Sequence, residues 1–247
     1  MKEMSPMTSR SVFLMLFAAL LPAQTFVDPP ILTIDQQLRS RGILPDEASL
    51  ENALLNVDPE VRILAALKLG DEKNTSAVAA IEAALKKEKM PEVKIQLAFA
   101  LAELGDSEGL RALTSFCGDQ SQSSSIRLGA AQDLLRFGNT LCFQNVLAIV
   151  SDPKQDSATV AQAAAVLGEY QRLVKNDSAV LKPLVKLLDS ADPTVRIAAS
   201  QALRHVGATT MMPALQAAIE REKDEGARAQ MEADLRILQR QAVKENR

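Results

Sequence analysis

The hydrophobic positions of this chain follow one short pattern that returns five times. Each copy begins with Val, Ile or Thr, continues with one or two Ala about four residues later, and reaches Leu at the eighth residue. The copies open at Val61, Val93, Ile126, Thr159 and Val195. The intervals between them are 32, 33, 33 and 36 residues. Apolar positions at i, i+4 and i+8 share one face of an α-helix, and a fixed period of this length predicts stacked helical units.

The fifth copy shows the chemistry of a helix start. Asp192 is a residue type that accepts the free backbone N–H groups of a first turn, and Pro193 loses no hydrogen bond at the first helical position. Gly207 predicts a left-handed cap at the end of the helix. The apolar face in between consists of Val195, Ala199 and Leu203. We therefore predict that each copy begins with one capped, amphipathic helix.

A second amphipathic stretch follows the first helix after a short turn. In the first copy its apolar stripe consists of Val78, Ile81 and Leu85. The corresponding stripes of the second, third and fifth copies are Leu110, Leu113 and Cys117; Phe143, Val146 and Val150; and Met212, Leu215 and Ile219. Because the small Ala side chains of the first helices let other helices approach closely, the pattern predicts helix pairs that stack on one another.

These patterns predict an all-α protein, a right-handed α-solenoid of stacked antiparallel helix pairs. Aromatic residues make up only 3% of the chain, which argues against a β-sandwich or barrel. The solenoid is expected over residues 34–241, with a capping helix at 226–241 and a polar tail at 242–247. Terminal units with a polar outer side keep such an array soluble. An irregular N-terminal helix pair (33–41 and 46–56) precedes five repeats that start near residues 58, 90, 123, 156 and 192.

Residues 1–23 have the layout of a secretory signal peptide. Lys2 and Arg10 flank a polar start, and the apolar run at 11–21 is too short to span a bilayer core of roughly 30 Å. We expect cleavage after Ala23, an extended linker at 24–33, and an exported protein in the bacterial periplasm or outside the cell. Such a mature protein has no integral membrane segment. An uncleaved N-terminal membrane anchor is the alternative.

The charge of the mature chain separates it from nucleic-acid-binding proteins. The chain contains 28 basic and 31 acidic residues, of which the first 23 residues hold two basic and one acidic. The mature chain therefore has 26 basic and 30 acidic residues, a net charge of −4 with the one His neutral. Since nucleic-acid binders usually carry a strongly basic surface, we expect no nucleic-acid partner.

Two cysteines in an exported protein suggest a disulfide, but their positions argue against one. Cys117 falls where other copies have Leu85, Val150 and Ile219, so we expect it in the core. Cys142 falls near the start of the equivalent helix of the next copy. If neighbouring units stack in parallel, the offset of eight residues is about 12 Å along the helix axis, beyond disulfide reach. We expect two free thiols, with a disulfide as the alternative.

Motifs of catalysis and cofactor binding are absent from the sequence. No G-x-S-x-G, H-E-x-x-H, Walker or G-x-G-x-x-G pattern occurs. His205 is the only histidine, which argues against a His-based metal cluster or a Ser-His-Asp triad. Its place near the end of a first helix suits a structural role, because a polar or positive side chain is favourable there. We predict no catalytic residue, no metal and no cofactor.

Two segments indicate the kind of repeat. D-P-x-V-R at 58–62 and 192–196, each followed by an Ala pair and a Leu, resembles HEAT repeats of the short bacterial, lyase-type kind. M-P-A-L at 212–215 is similar to that family as well, and the resemblance covers residues 46–241. It implies a solenoid that binds partners along a concave face lined by the second helices. The ankyrin T-P-L-H motif and the Trp and Tyr landmarks of tetratricopeptide repeats are absent, and the period leaves no room for a third armadillo helix.

An Asp and an Arg stand four residues apart at three helix starts. The pairs are Asp58/Arg62, Asp192/Arg196 and Asp224/Arg228. We expect each Asp to cap its helix and each Arg to reach that Asp or the Asp of a neighbouring copy, as such ladders do in HEAT arrays. A charged ladder that receives a ligand is the alternative.

The outward positions of the second helices carry small and mildly basic side chains. We predict that they form a shallow groove for an acidic peptide or protein segment. The candidate partner-binding residues are Lys86, Arg111, Gln144, Asn145, Lys182 and Lys186. A solvated helix surface without a dedicated ligand is the alternative, because charged side chains are mostly exposed in any protein.

Two irregular stretches are further candidates for function. The fourth copy is longer than the others near residues 169–177, which include the only tyrosine, Tyr170. Residues 120–125 (QSQSSS) are predicted to form a mobile loop. Loops often bear functional residues, although neutral surface insertions are common.

The sequence thus predicts a non-enzymatic, exported scaffold that is a monomer and binds a protein or peptide. The resemblance to the repeats of bilin lyases gives the alternative, a lyase-type subunit that acts as a chromophore lyase or a chaperone-like factor. A third possibility, nucleic-acid binding as in HEAT-like glycosylases, requires a basic groove with aromatic side chains, and the sequence shows neither.

Overall fold

The computed structural model describes residues 32–173 and 178–245. The predicted signal peptide at 1–23 lies outside the described residues, as do residues 24–31 of the predicted linker. Residues 174–177 of the fourth copy's long connection and the last two residues of the predicted tail also lie outside them.

The described part of the chain contains thirteen α-helices and no strand. In chain order they are α1 (Ile34–Ser40), α2 (Glu47–Ala53), α3 (Pro59–Asp71), α4 (Val78–Lys87), α5 (Pro91–Glu103), α6 (Ser107–Gly118), α7 (Ser124–Arg136), α8 (Phe143–Ser151), α9 (Ser157–Leu173), α10 (Ser178–Leu187), α11 (Pro193–His205), α12 (Met212–Arg221) and α13 (Glu225–Glu245). Single-turn 3₁₀ segments at Thr75–Ala77 and Thr209–Met211 lead into α4 and α12. The prediction of an all-α solenoid is confirmed.

The first helices of the five pairs are α3, α5, α7, α9 and α11, and capping explains where they begin and end. Asp58 Oδ1 accepts the backbone N–H of Glu60 at 2.9 Å, and Asp192 Oδ1 accepts that of Thr194 at 2.8 Å. After α11, Gly207 has a φ of +65°, the left-handed conformation predicted for it. The first N–H groups of α3 and α11 are therefore satisfied by the Asp residues that the sequence pattern places there, whereas α5 begins without a side-chain cap.

Close packing between consecutive first helices holds the array together. α3 packs against α5, α9 against α11, and α11 against the terminal helix α13. A Cβ placed on Gly70 of α3 would lie 3.3 Å from the Cα of Ala100, and one placed on Gly168 of α9 would lie 3.2 Å from the Cβ of Ala202. The Ala residues of the repeat pattern are fully buried: Ala65, Ala66, Ala98, Ala130, Ala131, Ala163, Ala164 and Ala199. Small side chains thus set the distance between neighbouring helices.

Helix α5 joins the two apolar clusters of the core. One cluster contains buried residues from α1 to α5, and the other extends from α5 to α13. Val93 and Leu97 of α5 belong to the first cluster, whereas Ile95 and Ala98 belong to the second. A helix that is apolar nearly all round is buried on all sides, so α5 links the two parts of the array.

An arginine clamp connects consecutive units at the fifth copy. Arg196 donates from Nε and Nη2 to the two carboxylate oxygens of Glu222, each at 2.5 Å. Its Nη1 donates to the backbone carbonyls of Ser190 and Ala191 at 2.8 and 2.9 Å. Glu222 Oε1 also accepts the backbone N–H of Asp224 at 2.9 Å. One ion pair therefore ties the turn before α11, the end of α12 and the start of α13 together.

The first copy repeats the clamp and corrects the predicted partner of the arginines. Arg62 Nε donates to Glu88 Oε2 at 2.6 Å, and its Nη1 donates to the carbonyls of Asn56 and Val57. In both copies the arginine reaches a glutamate 26 residues later rather than the predicted Asp. The reason is that Asp58 is held by its own helix as a cap, whereas the glutamate at the end of the second helix faces the guanidinium. In the fifth copy, Glu222 is the equivalent of Glu88. The hydrogen bonds from Arg196 lower the pKa of the Glu222 carboxyl to about 2.

The two cysteines form a disulfide, so the prediction of free thiols is wrong. The Cα atoms of Cys117 and Cys142 are 6.1 Å apart, which is a usual separation for a disulfide. The sequence estimate of about 12 Å assumed that α6 and α8 run side by side in register. The first turn of α8 instead lies against the last turn of α6, where Asn145 Nδ2 donates to Cys117 Sγ at 3.5 Å. Both cysteines are buried, as predicted for the core position of Cys117.

The Ser- and Gln-rich stretch at 120–125 connects α6 to α7 and enters α7 at Ser124, so the predicted loop is confirmed for residues 120–123, and its mobility stays a prediction. Asp119 Oδ1 accepts the backbone N–H of Ser121 at 2.9 Å. Ser123 Oγ accepts the backbone N–H of Ile126 at 3.3 Å, and α7 begins at the residue after Ser123. Serine hydroxyls favour turns and helix caps, which is why this polar run is structured.

The terminal helix α13 ends at Glu245, whereas the sequence predicts a capping helix at 226–241 followed by a polar tail at 242–247. A buried carboxylate attaches this helix to α11. Ser200 Oγ donates to Asp234 Oδ2 at 2.8 Å, and Arg204 Nε lies 2.7 Å from Asp234 Oδ1. The end of the array is thus fixed by a paired buried charge as well as by apolar packing.

Replacing Arg196 by Met is expected to lower the free energy of unfolding by about 3 kcal/mol, because the carboxylate of Glu222 stays buried without its partner. The side chain of Glu222 is only 1% exposed. The double variant R196M/E222Q is expected to regain part of this loss. Urea denaturation of each variant measures the change.

The matched control is Arg221→Met, whose exposed ion pair with Asp189 is worth less than about 1 kcal/mol. Equal losses of unfolding free energy in the Arg196 and Arg221 variants would contradict a special stabilising role of the Arg196–Glu222 ion pair.

Removing the disulfide with C117A/C142A is expected to lower the free energy of unfolding by about 3 kcal/mol, because the unfolded chain gains the freedom of the opened loop. The cysteines are 25 residues apart in sequence. A reductant is expected to destabilise the wild-type protein and to leave the double variant unchanged in the same denaturation assay. Two reactive thiols per unreduced chain would show that the disulfide is absent.

Candidate functional site

The six residues predicted to bind a partner all lie on second helices. In chain order they are Lys86 on α4, Arg111 on α6, Gln144 and Asn145 on α8, and Lys182 and Lys186 on α10. The side chains of Lys86 and Arg111 are 72% and 73% exposed, and each pairs with an acidic residue of its own helix, Glu82 and Glu108. This intrahelical pairing neutralises part of the predicted positive charge.

The other four predicted residues differ in their surroundings. Gln144, Lys182 and Lys186 are exposed, and the two lysines stand one turn apart on α10. Asn145 is half-buried, and its amide is bonded to the sulfur of Cys117. The structure therefore brings the two lysines close together, and the six residues are distributed over four helices. Asn145 contributes to the packing of the fold through its contact with Cys117.

A cavity of about 690 Å³ lies on the first-helix row, among α5, α7 and α9. We call it the first-helix groove, and it is lined by Gln96, Gln132, Asp133, Leu135, Arg136, Glu169 and Leu173. A smaller cavity of about 300 Å³ shares Arg136 with it and extends toward α1 and α3, where Asp71 and Glu103 line it. Amide, carboxylate and leucine side chains thus converge on one open surface.

The groove forms where one repeat position carries a charged residue in the third copy. Seven residues after the opening residue, the second and fifth copies have Ala100 and Ala202, which contact Gly70 and Gly168 of the preceding first helix. The third copy has Asp133 at this position. Accordingly, α5 and α7 pack less closely than α3 and α5 or α9 and α11. In the second and fifth copies, the same position contacts the preceding first helix through the methyl group of an alanine.

Asp133 has no hydrogen bond or close ion pair with any residue that the structure describes. Its side chain is half-buried, and this burial raises the pKa of its carboxyl from 3.8 to about 6, against a weaker opposing effect of Arg136. Lys68 has the equivalent position in the first copy, but its Nζ lies 2.7 Å from Asp35 Oδ1 of α1. Asp133 therefore differs from Lys68 in having no hydrogen-bonded counter-charge among the described residues.

Arg136 and Glu169 are two further charged residues that line the groove. The guanidinium carbon of Arg136 lies 4.5 Å from the ring centroid of Phe99, so this cation is stacked on α5. Glu169 Oε1 lies 3.1 Å from Nε2 of His205 on α11. The histidine near the end of its helix thus also contacts a groove carboxylate. Two carboxylates and one stacked guanidinium are thus the charged groups among the described residues of the lining.

The chemistry of the groove suits reversible binding. The described residues of its lining include no Ser, Thr, Cys or Lys nucleophile. Across residues 32–173 and 178–245, no group of three His, Cys, Asp or Glu side chains is placed to hold a metal ion. No helix of the same residues is both long enough and apolar enough to cross a bilayer.

Sequence reasoning missed the groove, although a signal was present. The residues seven positions after the five opening residues are Lys68, Ala100, Asp133, Val166 and Ala202. A charged residue breaks the repeat pattern there in the first and third copies. Departures from a consistent local pattern are expected at functional sites, but the contact made by this position becomes visible only in the fold.

The family model for HEAT repeats matches residues 47–135 and 144–236 of the chain. No curated protein matches the chain significantly.

Three solved structures are similar to the chain. Human deoxyhypusine hydroxylase in complex with glycerol is 15% identical, with 84% of this chain and 97% of that chain covered and a TM-score of 0.41. An engineered protein is 20% identical, with 78% and 96% covered and a TM-score of 0.45. The complex of CpcE and CpcF of phycocyanin lyase from Nostoc sp. PCC7120 is 17% identical, with 89% and 98% covered and a TM-score of 0.40. At these scores the likenesses support no conclusion about function.

Replacing Asp133 by Asn is expected to stabilise the protein at pH 7.5 by about 2 kcal/mol. Because the pKa of Asp133 is raised from 3.8 to about 6 in the fold, the folded state binds more protons than the unfolded state between these values. The stability contributed by protonated Asp133 is therefore lost as the pH rises through this range. The gain from Asn is expected to be full above pH 7 and to disappear by pH 4.

Urea denaturation of the wild type and the variant at both pH values measures this difference. The control is the exposed carboxylate Asp189, for which Asp189→Asn is expected to change stability by less than about 0.5 kcal/mol. An equal gain from Asp133→Asn at both pH values would show that its burial is not the cause.

Proposed function

The chain belongs to the HEAT repeat family, and we propose that it acts as an exported, non-catalytic scaffold that binds another protein. HEAT repeats commonly mediate protein interactions, so the family supports a binding role. The observation that carries the proposal is the first-helix groove, an open surface that contains a carboxylate without a described partner. The protein is proposed to act as a monomer, without a cofactor and without a nucleic-acid partner.

Two features support export to the bacterial periplasm or the cell exterior. Residues 1–23 combine two basic residues with a short apolar run, the layout of a signal peptide. The buried disulfide between Cys117 and Cys142 suits an oxidising compartment, because thiols in the cytosol are kept reduced. The two features come from different parts of the chain and agree.

We propose that the first-helix groove is the principal contact surface and that the second helices provide a second one. The groove has the volume of a ligand site, since such pockets range over about 300–1,000 Å³. Lys182 and Lys186 are exposed one turn apart, which suits contact with an acidic segment. The remaining predicted positions, Lys86, Arg111, Gln144 and Asn145, lie on the second helices α4, α6 and α8.

A chromophore lyase or a chaperone-like lyase subunit is the alternative function. Bilins carry carboxylate side chains, and the carboxylates of Asp133 and Glu169 in the groove oppose their binding. The described residues of the groove also include no thiol or hydroxyl nucleophile that could take part in chromophore transfer. The scaffold is therefore the better-supported proposal.

The scaffold proposal is tested by site-specific photo-crosslinking of the full chain in its native cell. A photo-reactive phenylalanine analogue replaces Gln132 in the groove, Lys182 on α10, or Gln239 on the exposed side of α13. We expect the Gln132 variant to crosslink one defined protein in the exported fraction, because the probe projects into the principal contact surface. Mass spectrometry identifies the product.

The Gln239 variant is the control, since it carries the same probe on a helix outside both surfaces. Crosslinking at Lys182 alone would assign the contact to the second helices and contradict the groove. Identical products at all three positions, or none at Gln132 and Lys182, would contradict the scaffold role.

A further inference from the structure

Asp133 occupies the repeat position that contacts the preceding first helix in the second and fifth copies. Where this position is Ala, as in Ala100 and Ala202, the helix contacts a glycine of the preceding first helix at 3.2–3.3 Å. In the third copy this position holds Asp133, whose half-buried carboxylate lines the first-helix groove. A buried carboxylate without a hydrogen-bond donor lowers the stability of a fold, so the position is unfavourable for the array alone.

Lys68, the charged residue at the equivalent position of the first copy, has two carboxylates close to it. Lys68 Nζ lies 2.7 Å from Asp35 of α1 and 3.0 Å from Glu72 of its own helix. A charge between two first helices is thus accommodated here by an opposite charge from a neighbouring element. Around Asp133, no residue that the structure describes makes the corresponding ion pair.

Arg136 is the nearest candidate to neutralise Asp133, but its guanidinium is committed elsewhere. It stacks on the ring of Phe99 at 4.5 Å, and it separates the groove from the smaller cavity lined by Glu103. Glu169 adds a second carboxylate to the same lining from α9. Among the described residues, Asp133 therefore has no hydrogen-bonded cation, and Arg136 acts on its carboxylate only through its charge.

We propose that the first-helix groove binds a Lys or Arg side chain of a partner protein, with Asp133 as the carboxylate that accepts its hydrogen bonds. This inference rests on the proposed scaffold function and names the chemistry of its ligand. A cationic side chain supplies both the counter-charge and the donors that Asp133 lacks. Its aliphatic stem lies against Leu135 and Leu173, and the amides of Gln96 and Gln132 bond to the partner backbone.

The inference is tested by NMR titration of the mature, disulfide-bonded protein with small probes. The probes are N-acetyl-arginine amide, N-acetyl-lysine amide, N-acetyl-norleucine amide and N-acetyl-glutamine amide. We expect millimolar binding of the two cationic probes, with shifts of the Gln132, Asp133 and Glu169 amides, because a single side chain contributes little binding energy. The two neutral probes are expected to bind at least tenfold more weakly.

Asp133→Asn keeps the size of the side chain and removes its charge. Because this variant is expected to be more stable than the wild type, a loss of binding cannot come from unfolding. We expect its affinity for both cationic probes to fall at least tenfold, whereas Asp189→Asn keeps wild-type affinity. Equal binding of norleucine and lysine amides, or unchanged binding by Asp133→Asn, would overturn the inference.

The crosslinking experiment separates this inference from the scaffold role. If the Gln132 crosslink to a partner persists in the Asp133→Asn variant, the scaffold role stands and the cationic contact is wrong. If the cationic probes bind through Asp133 but no partner crosslinks at Gln132 or Lys182, the cation site stands and the scaffold role is contradicted.

Discussion

The distance between consecutive first helices depends on the size of one side chain at each contact. Where Ala100 or Ala202 meets a glycine, the helices approach so closely that an added methyl group has to displace its neighbour. Where the third copy has Asp133, the same contact opens and a groove appears between α5 and α7. A small side chain at this position allows two first helices to pack closely, and a larger, charged one is found where they pack less closely.

Most of the other partly or fully buried charges belong to the joints of the array. Arg62 and Arg196 each bind a glutamate at the end of the second helix of their own unit, and Asp234 joins the last helix to α11. These pairs fix the orientation of one unit relative to the next through directed hydrogen bonds. Asp133 stands apart because its environment offers no such pair. Its role is consequently best explained by a ligand from outside the chain.

The sequence predicts what depends on neighbours along the chain and misses what depends on neighbours in space. Apolar spacing and caps such as Asp192 locate the first helices, because helix starts are local. The partner of Arg62 is missed because an Asp is nearer in sequence, whereas Glu88 is nearer in the fold. The disulfide is missed because a fixed period does not specify that α8 begins at the end of α6. The groove requires both the repeat and knowledge of which position faces the preceding helix.

The disulfide gives the array an uneven response to mechanical load. Units of a solenoid contact only their neighbours and can detach one after another when the ends are pulled apart. Cys117 and Cys142 lie 25 residues apart, on α6 and at the start of α8. The segment between them cannot extend, which removes about 85 Å from the length of the fully stretched chain. Helices at either end can peel away while α7, which bears Asp133, remains enclosed in a covalent loop at the centre.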